Sequence, residues 1–274
     1  MTAEIKAEIL TKIPGRRCCQ ESFLETWYQQ NGENALFYST PSMARYLIML
    51  LRGLQVSSWG IGQGLQRKGK IILSEQAIRM FASKSFLHSN SRCCQKIFLK
   101  TLFLSRGSFS LSKGGYHLEL HGMNKSQAQK ALEVSEALGV GGSLYFRRNQ
   151  STLYYKDGDH IARFLGIIGA VKTLLRFEEH RALKETKNKI RRQVNYETAN
   201  LIRVADASAL QQETIKRLMK GIRWKSLSPN LKIAAMARLQ YPSLSLRELA
   251  GKLQMTKSAL NHRLRRLEEF SRTK

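Results

Sequence analysis

The chain has 274 residues, a length that accommodates one large domain or two ordinary ones. Apolar residues make up 42% of the sequence, enough to bury a core, which argues against a wholly disordered chain. Its 46 lysines and arginines outnumber its 20 acidic residues by 26, which disfavours an ordinary cytosolic enzyme and indicates a polyanionic partner, nucleic acid ahead of membrane.

The N-terminal residues and the uncharged stretches lack the features of membrane-directed segments. Residues 1–12 contain Glu4 and Glu8 and have no apolar core of the kind a signal peptide needs. The longest stretch without Asp, Glu, Lys or Arg, residues 53–66, is rich in Gly, Ser and Gln, whereas a membrane helix needs about eighteen or more apolar residues. The sequence therefore predicts a soluble, cytoplasmic, nucleoid-associated protein with no membrane partner.

The four cysteines occur as two adjacent pairs, Cys18-Cys19 and Cys93-Cys94. A zinc site usually takes thiolates two to four residues apart, so that the chain can wrap around one ion, and neither pair has this spacing. We interpret the cysteines as buried packing thiols at the starts of helices, and predict no metal and no cofactor. A metal or redox role is the alternative interpretation.

An internal repeat organises the first 180 residues. Residues 18–26 return as residues 93–101, with six identities in nine positions at a constant offset of 75, which carries on to Gly32 and Gly107. Residues 42–54 then resemble residues 126–138 at an offset of 84, so the second copy has about nine extra residues in its early strands. Matches at such fixed spacing indicate a duplication.

Each copy is predicted to run helix, two short strands, helix, two short strands, helix. In the second copy the helices cover about residues 94–105, 127–138 and 161–171, and Gly107 and Gly139 end the first two. A strand is predicted over residues 116–120, where apolar and polar residues alternate, and a hairpin over residues 143–146 and 152–155. The equivalent hairpin of the first copy is predicted over residues 59–66 and 70–73. Two such units fold most simply as a pseudo-dimer with their first helices side by side.

A helix that ends in glycine, occurs twice in one chain and precedes β-hairpins resembles the LAGLIDADG homing-endonuclease fold. The motif would lie on residues 24–32 and 99–107. The nuclease chemistry needs an acid just before each glycine, to hold the divalent metals that activate water. Asn31 and Arg106 stand there instead, and neither replaces an anionic ligand. The sequence therefore predicts no catalytic residue and no enzyme.

The last third of the chain is more basic than the rest. Residues 181–274 hold 22 basic and 7 acidic side chains, and residues 170–220 contain no Gly or Pro, which favours long helices. Most lysines there are interpreted as a solvated face. Arg191 and Arg192 are predicted to form a secondary, basic DNA-binding arm. An apolar stripe accompanies them at helical spacing: Leu183, Ile190, Val194 and Leu201.

The C-terminal residues predict three short helices. Ser228-Pro229 opens a helix to about Gln240, which Tyr241-Pro242 closes. Ser245 to Glu248 form a capping box for the next helix, and residues 254–256 make a turn whose Thr256 caps the last one.

This last helix has an apolar back, with Leu260, Leu264 and Leu267, and a polar front. Such a helix suits a helix-turn-helix reading head, because Arg reaches guanine edges, Asn reaches adenine and flanking cations neutralise phosphates. An ordinary helical hairpin with a polar face is the alternative. The predicted DNA-binding residues are Ser245, Arg247, Thr256, Lys257, Ser258, Asn261, His262, Arg263, Arg265 and Arg266.

Together these features resemble the WhiA regulators of Gram-positive bacteria. The resemblance rests on the paired cysteines and on residues 166–170, 174–178, 195–200, 243–249 and 257–268, of which 195–200 match the family's Asn-x-Glu-Thr-Ala-Asn run. It implies a sequence-specific regulator that binds double-stranded DNA and acts in cell division and chromosome segregation, and in sporulation where the organism sporulates.

The predicted fold class is α+β: a duplicated αββαββα LAGLIDADG-like pseudo-dimer, then an all-α linker and a helix-turn-helix domain. The predicted boundaries are 1–180 for the repeat domain (copies of about 16–90 and 91–175), 181–227 for the basic linker and 228–274 for the reading head.

Two other functions stay open. In one, the repeat domain binds a protein and only the helix-turn-helix touches DNA. The charge on the concave sheet surface (the saddle) of the repeat domain would distinguish this function from DNA binding by both domains. In the other, a nuclease uses displaced acids, Glu25, Glu33 or Glu119, although none occupies equivalent places in the two copies. A magnesium-dependent plasmid cleavage assay decides the second.

Overall fold

A computed structural model of the chain describes residues 1–31, 34–56, 59–61, 68–82, 91–112, 115–147 and 150–272. The chain divides into two compact units, Met1–Leu183 and Lys184–Lys274, and the boundary falls inside one long helix. Within the described ranges, no helix combines the length and the apolar character that crossing a membrane requires.

The first repeat follows a short helix, α1 (Thr2–Ile9), which was not among the predicted elements. The elements are α1 (Thr2–Ile9), α2 (Arg17–Asn31), β1 (Ala35–Tyr38), α3 (Pro41–Gly53), β2 (Trp59–Ile61), β3 (Gly69–Leu73) and α4 (Glu75–Ala82). Helix α1 buries Ile5 and Ile9, and the Thr2 hydroxyl donates to the Phe109 carbonyl at 3.0 Å. It therefore packs against the second repeat.

The second repeat follows the predicted order of elements. They are α5 (Arg92–Arg106), β4 (Gly107–Ser112), β5 (Gly115–Met123), α6 (Lys125–Ala137), β6 (Ser143–Arg147), β7 (Gln150–Tyr155) and α7 (Gly158–Ile168). The strands form an antiparallel sheet in the order β4-β5-β7-β6. Helix α7 ends at Ile168 and not at residue 171 as predicted, because Gly169 adopts a left-handed conformation with φ of 82°.

The described residues of the first repeat depart from the prediction by one strand. They place a single strand between α2 and α3, and β1, β3 and β2 form a three-stranded antiparallel sheet in that order. This order matches β5-β7-β6, so β4 lacks a counterpart, which accounts for the change of offset from 75 to 84. Gly32 and residues 62–67 of the predicted hairpin lie outside the described residues.

The first helices of the two repeats lie side by side, as the duplication predicted. Phe23 and Leu24 of α2 and Leu99 and Phe103 of α5 are fully buried, and one hydrophobic core runs through both repeats. The pseudo-dimer is therefore held by the burial of apolar area along two short helices.

Helices alone form the rest of the described chain. They are α8 (Val171–Lys220), α9 (Arg223–Ser226), α10 (Pro229–Gln240), α11 (Leu246–Lys252) and α12 (Lys257–Arg272). Helix α8 is unbroken over 50 residues because it contains neither Gly nor Pro. Its predicted apolar stripe is not buried: the four residues are 52–69% exposed. Near its end, however, Ile215 and Leu218 join the core of the second unit.

The N-terminus of α8 is capped by a residue far away in the sequence. The Glu8 carboxylate accepts hydrogen bonds from the backbone N–H groups of Lys172 at 2.6 Å and of Thr173 at 3.1 Å, and from the Thr173 hydroxyl at 2.8 Å. A carboxylate at this end satisfies unpaired N–H groups and complements the helix dipole. Helices α1 and α8 are thereby joined within the first unit.

Candidate nucleic-acid interface

Helices α11 and α12 are joined by a turn of four residues. The Ser245 hydroxyl accepts from the Glu248 N–H at 3.3 Å, and the Glu248 carboxylate accepts from the Ser245 N–H at 2.8 Å, which is the predicted capping box. At the other end of α11 the Met255 N–H donates to the Ala250 carbonyl at 3.0 Å, and Gln254 takes a left-handed φ of 51°. This is a Schellman turn with glutamine where glycine is usual.

The predicted apolar face of α12 packs in a small hydrophobic core. Leu260, Leu264 and Leu267 are each at most 1% exposed, and they pack with Leu231 of α10 and Leu249 of α11. This burial fixes the rotation of α12 about its own axis, so the opposite face must point to solvent.

The predicted polar front of α12 is on the surface. Lys257, Ser258, His262, Arg265 and Arg266 are exposed, and Asn261 and Arg263 are half-buried at its edges. Arg247 of α11 is also exposed. No ion pair within the described part of the chain neutralises any of these cations. An uncompensated positive charge on one helix face is what a polyanion would neutralise.

Two of the predicted contact residues also have a structural task. The hydroxyls of Ser245 and Thr256 accept the N–H groups of Glu248 and of Ala259, the latter at 3.2 Å, and so cap α11 and α12. The Ser245 side chain also hydrogen-bonds the Glu248 carboxylate, which lowers the pKa of that group. The capping fixes both side chains at the ends of the helices that carry the cationic face.

The secondary basic residues lie on α8. Arg191 and Arg192 are exposed neighbours in a helix that continues far past them on both sides. The structure places both on a solvated surface and gives them no partner among the described ion pairs.

Arg238 of the second unit has a structural role that the sequence does not predict. It is 2% exposed, and its Nη1 donates to the Leu244 carbonyl at 2.7 Å, which ties the segment after α10 to that helix. Burial lowers the pKa of its guanidinium. The sequence carries no signal for it, because an arginine in a basic helix reads as solvated.

The ends of α2 and α5 hold an arginine in place of a metal-binding acid. The Arg106 guanidinium donates to the side chain of Gln30, to the Gln30 carbonyl at 2.9 Å, and to the Gly122 carbonyl. It thus satisfies carbonyls at the end of α2, and burial lowers its pKa without removing its charge. Of the three displaced acids, Glu33 is not among the described residues and Glu25 is buried in α2. Glu119 lies on β5, with its carboxylate 3.5 Å from Nδ1 of His121.

The cysteines are arranged differently from the prediction of buried packing thiols. Cys19 and Cys94 are buried, but Cys18 is exposed and Cys93 is half-buried. The four Sγ atoms lie within 4.8 Å of one another. The spacing of either pair alone does not reveal this gathering, because the pseudo-twofold symmetry brings two pairs from separate helices together.

Comparisons with known proteins agree with this architecture. Residues 95–187 match the WhiA LAGLIDADG-like domain and residues 190–271 match the WhiA C-terminal HTH domain. A probable cell division protein WhiA of Carboxydothermus hydrogenoformans is 31% identical over 97% of this chain and 94% of its own length. One of Desulforudis audaxviator is 36% identical over 77% of this chain and 67% of its own.

A solved structure also resembles this chain over nearly its whole length. The crystal structure of full-length WhiA from Thermotoga maritima superimposes with a TM-score of 0.58 at 27% identity, and covers 98% of this chain and 96% of that chain. This chain therefore belongs to the WhiA family.

Proposed function

We propose that this chain is a transcriptional regulator that binds specific double-stranded DNA sequences and acts in cell division and chromosome segregation, and in sporulation where its organism sporulates. The observation that carries the proposal is the two-sided character of α12. Its leucine face is buried, Ser258, His262 and Arg265 on the other face are exposed, and no ion pair in the described part of the chain neutralises Arg265. Names of relatives as probable cell division proteins support the cellular role. In this proposal the protein works on the nucleoid.

The roles within the interface follow from position and chemistry. Arg265 and Asn261 would read base edges, because Arg pairs with guanine and Asn with adenine in the major groove. His262 and Ser258 would lie beside them, and the cations at the sides of the helix, Lys257, Arg263 and Arg266, would neutralise phosphates. Arg247, Ser245 and Thr256 would contact the backbone from α11 and from the turn.

Replacing Arg265 by alanine is expected to weaken binding to the correct site by about 1–3 kcal/mol, since it removes an interaction with a base, and to affect random DNA much less. Arg266→Ala is the matched control: the same chemistry one position further, where removing an interaction with a phosphate weakens both kinds of binding alike. Gel shifts on specific and scrambled duplexes measure, for each variant, the ratio of its affinity for the specific site to its affinity for random DNA. If Arg265→Ala leaves the specific-to-random ratio unchanged, α12 does not read bases.

The basic arm is expected to contribute affinity without sequence preference. With Arg191 and Arg192 both replaced by alanine, the slope of log affinity against log salt should flatten by about 0.9 for each phosphate that is no longer neutralised. Arg217→Ala is the control on the same helix, because Arg217 is already paired with Glu213 at 2.8 Å. A salt slope equal to that of the unchanged chain would mean that the two arginines are only solvated.

The proposal includes no nuclease activity. A metal-dependent nuclease of this fold needs carboxylates at the ends of α2 and α5, and the Arg106 guanidinium, held by three hydrogen bonds, would repel a divalent cation there. The plasmid cleavage assay with magnesium tests this point directly.

One observation favours a protein partner for the repeat domain. On the outward face of the four-stranded sheet, one row of paired residues reads Ser108, Glu119, Tyr154 and Ser143. On the first sheet Phe37 and Ile72 are 42% and 48% exposed. Hydroxyls, aromatics and scattered charges suit a protein surface better than a phosphate backbone, which needs clustered cations.

A further inference from the structure

The four cysteines lie where the two repeats meet, at the opposite ends of α2 and α5 from Arg106. Cys18 and Cys19 occupy the first turn of α2, and Cys93 and Cys94 occupy the first turn of α5. These are all the cysteines of the chain, and their Sγ atoms lie within 4.8 Å of one another. Nothing in the DNA-binding proposal uses them.

The distances suit four thiolates around one small cation. A zinc–sulfur bond of about 2.3 Å places the sulfurs of a tetrahedral site about 3.8 Å apart. Cys93 Sγ and Cys94 Sγ are 4.0 Å apart, and the largest separation exceeds the tetrahedral edge by about 1 Å. Side-chain rotations alone can close such a difference. Two adjacent cysteines on one helix cannot surround an ion, but two such pairs facing each other can.

Groups with positive or partly positive charge surround the four sulfurs. The sulfurs lie at two helix N-termini, where the partial positive charge of the peptide dipoles stabilises anions. Arg16 Nη1 is 4.0 Å from Cys93 Sγ, and Ser91 Oγ is 3.4 Å from it. These groups would offset the net negative charge that four thiolates retain around a divalent ion.

We propose that Cys18, Cys19, Cys93 and Cys94 bind one structural zinc ion that ties the N-terminal end of α2 to that of α5. The set is complete, since four sulfurs leave no open position for a substrate or for water. Each repeat contributes two ligands, so the ion lies on the pseudo-twofold axis. A four-iron cluster fits less well, because its ligands bind four different irons and stand further apart.

The test uses the full-length chain purified under reducing conditions. Elemental analysis is expected to find one zinc per chain. Replacing zinc by cobalt(II) should give thiolate-to-cobalt charge-transfer bands in the near ultraviolet and the intense d–d bands of a tetrahedral sulfur site. Cys18→Ser combined with Cys93→Ser changes the two less buried ligands, and should lose the zinc and the cobalt bands.

Ser91→Ala is the matched control, because it removes the hydroxyl next to Cys93 but no sulfur, and it should keep one zinc per chain. The proposal is overturned if the unchanged chain has four free thiols yet shows neither zinc nor cobalt bands. It is equally overturned if the chain carries iron and sulfide, if the cysteines are isolated as disulfides that zinc does not prevent, or if the double variant retains its zinc. The cobalt spectrum of the unchanged chain needs no variant to fold.

Discussion

Replacing Leu264 by alanine is expected to lower the free energy of unfolding of the second unit by about 2–5 kcal/mol, because it removes a buried side chain and leaves a cavity. Leu264 is 1% exposed, and the core around it is small, so neighbouring leucines of α10 and α11 have little freedom to fill the space. Urea unfolding followed by circular dichroism measures the change. DNA binding should fall with stability, equally for specific and random sequences.

Arg265→Ala is the matched control for this experiment, since it changes the next residue on the opposite, exposed face. Its effect on stability should stay within about 0.5 kcal/mol. If Leu264→Ala lowered the free energy of unfolding by less than about 1 kcal/mol, the leucine face of α12 would not pack in the core. The inference that the polar face of α12 points to solvent would then be wrong as well.

Replacing Gly107 by alanine is expected to destabilise the repeat domain by about 1–3 kcal/mol through overpacking. A Cβ atom there would lie 2.4 Å from Cδ2 of Phe103 and 2.5 Å from the Phe103 carbonyl oxygen. Phe103 is fully buried and packs on Phe164 with ring centroids 6.0 Å apart, so neither it nor the helix backbone can withdraw. Thermal melts of the full-length chain would show the destabilisation.

Gly115→Ala is the matched control for Gly107. Both glycines begin strands of the same sheet, but a Cβ at Gly115 would meet only His117 Nε2, at 3.9 Å. That variant should melt within a few degrees of the unchanged chain. A tight position at Gly107 explains why glycine ends the helix motif here: space, and not an unusual backbone angle, forbids a side chain. Equal melting temperatures for the two variants would contradict this account.

Much of this fold could be predicted because its signals are local or repeated. The capping box at Ser245, the leucine spacing of α12 and the absence of Gly and Pro in α8 each act within one helix, and each prediction was confirmed. The duplication was visible as a fixed offset, and even its break from 75 to 84 corresponds to one strand, β4.

What could not be predicted depends on residues that meet only after folding. The burial of Arg238 and the carbonyl that it binds are set by how the segment after α10 returns. The gathering of the four thiols needs the pseudo-twofold axis, which no spacing rule for one segment contains. The left-handed conformation of Gln254 could not be predicted, because the glycine that usually marks such a turn is absent. Packing of the helices on both sides imposes the conformation.

The carboxylate of Glu8 has a consequence for how the chain folds during synthesis. Its partners Lys172 and Thr173 are translated more than 160 residues later, so the contact between α1 and α8 forms only after almost the whole first unit has been made. Contacts between such distant positions form late, because the intervening loop must close first. Until residue 173 has left the ribosome, the Glu8 carboxylate lacks these partners, and the N–H groups at the start of α8 lack their cap.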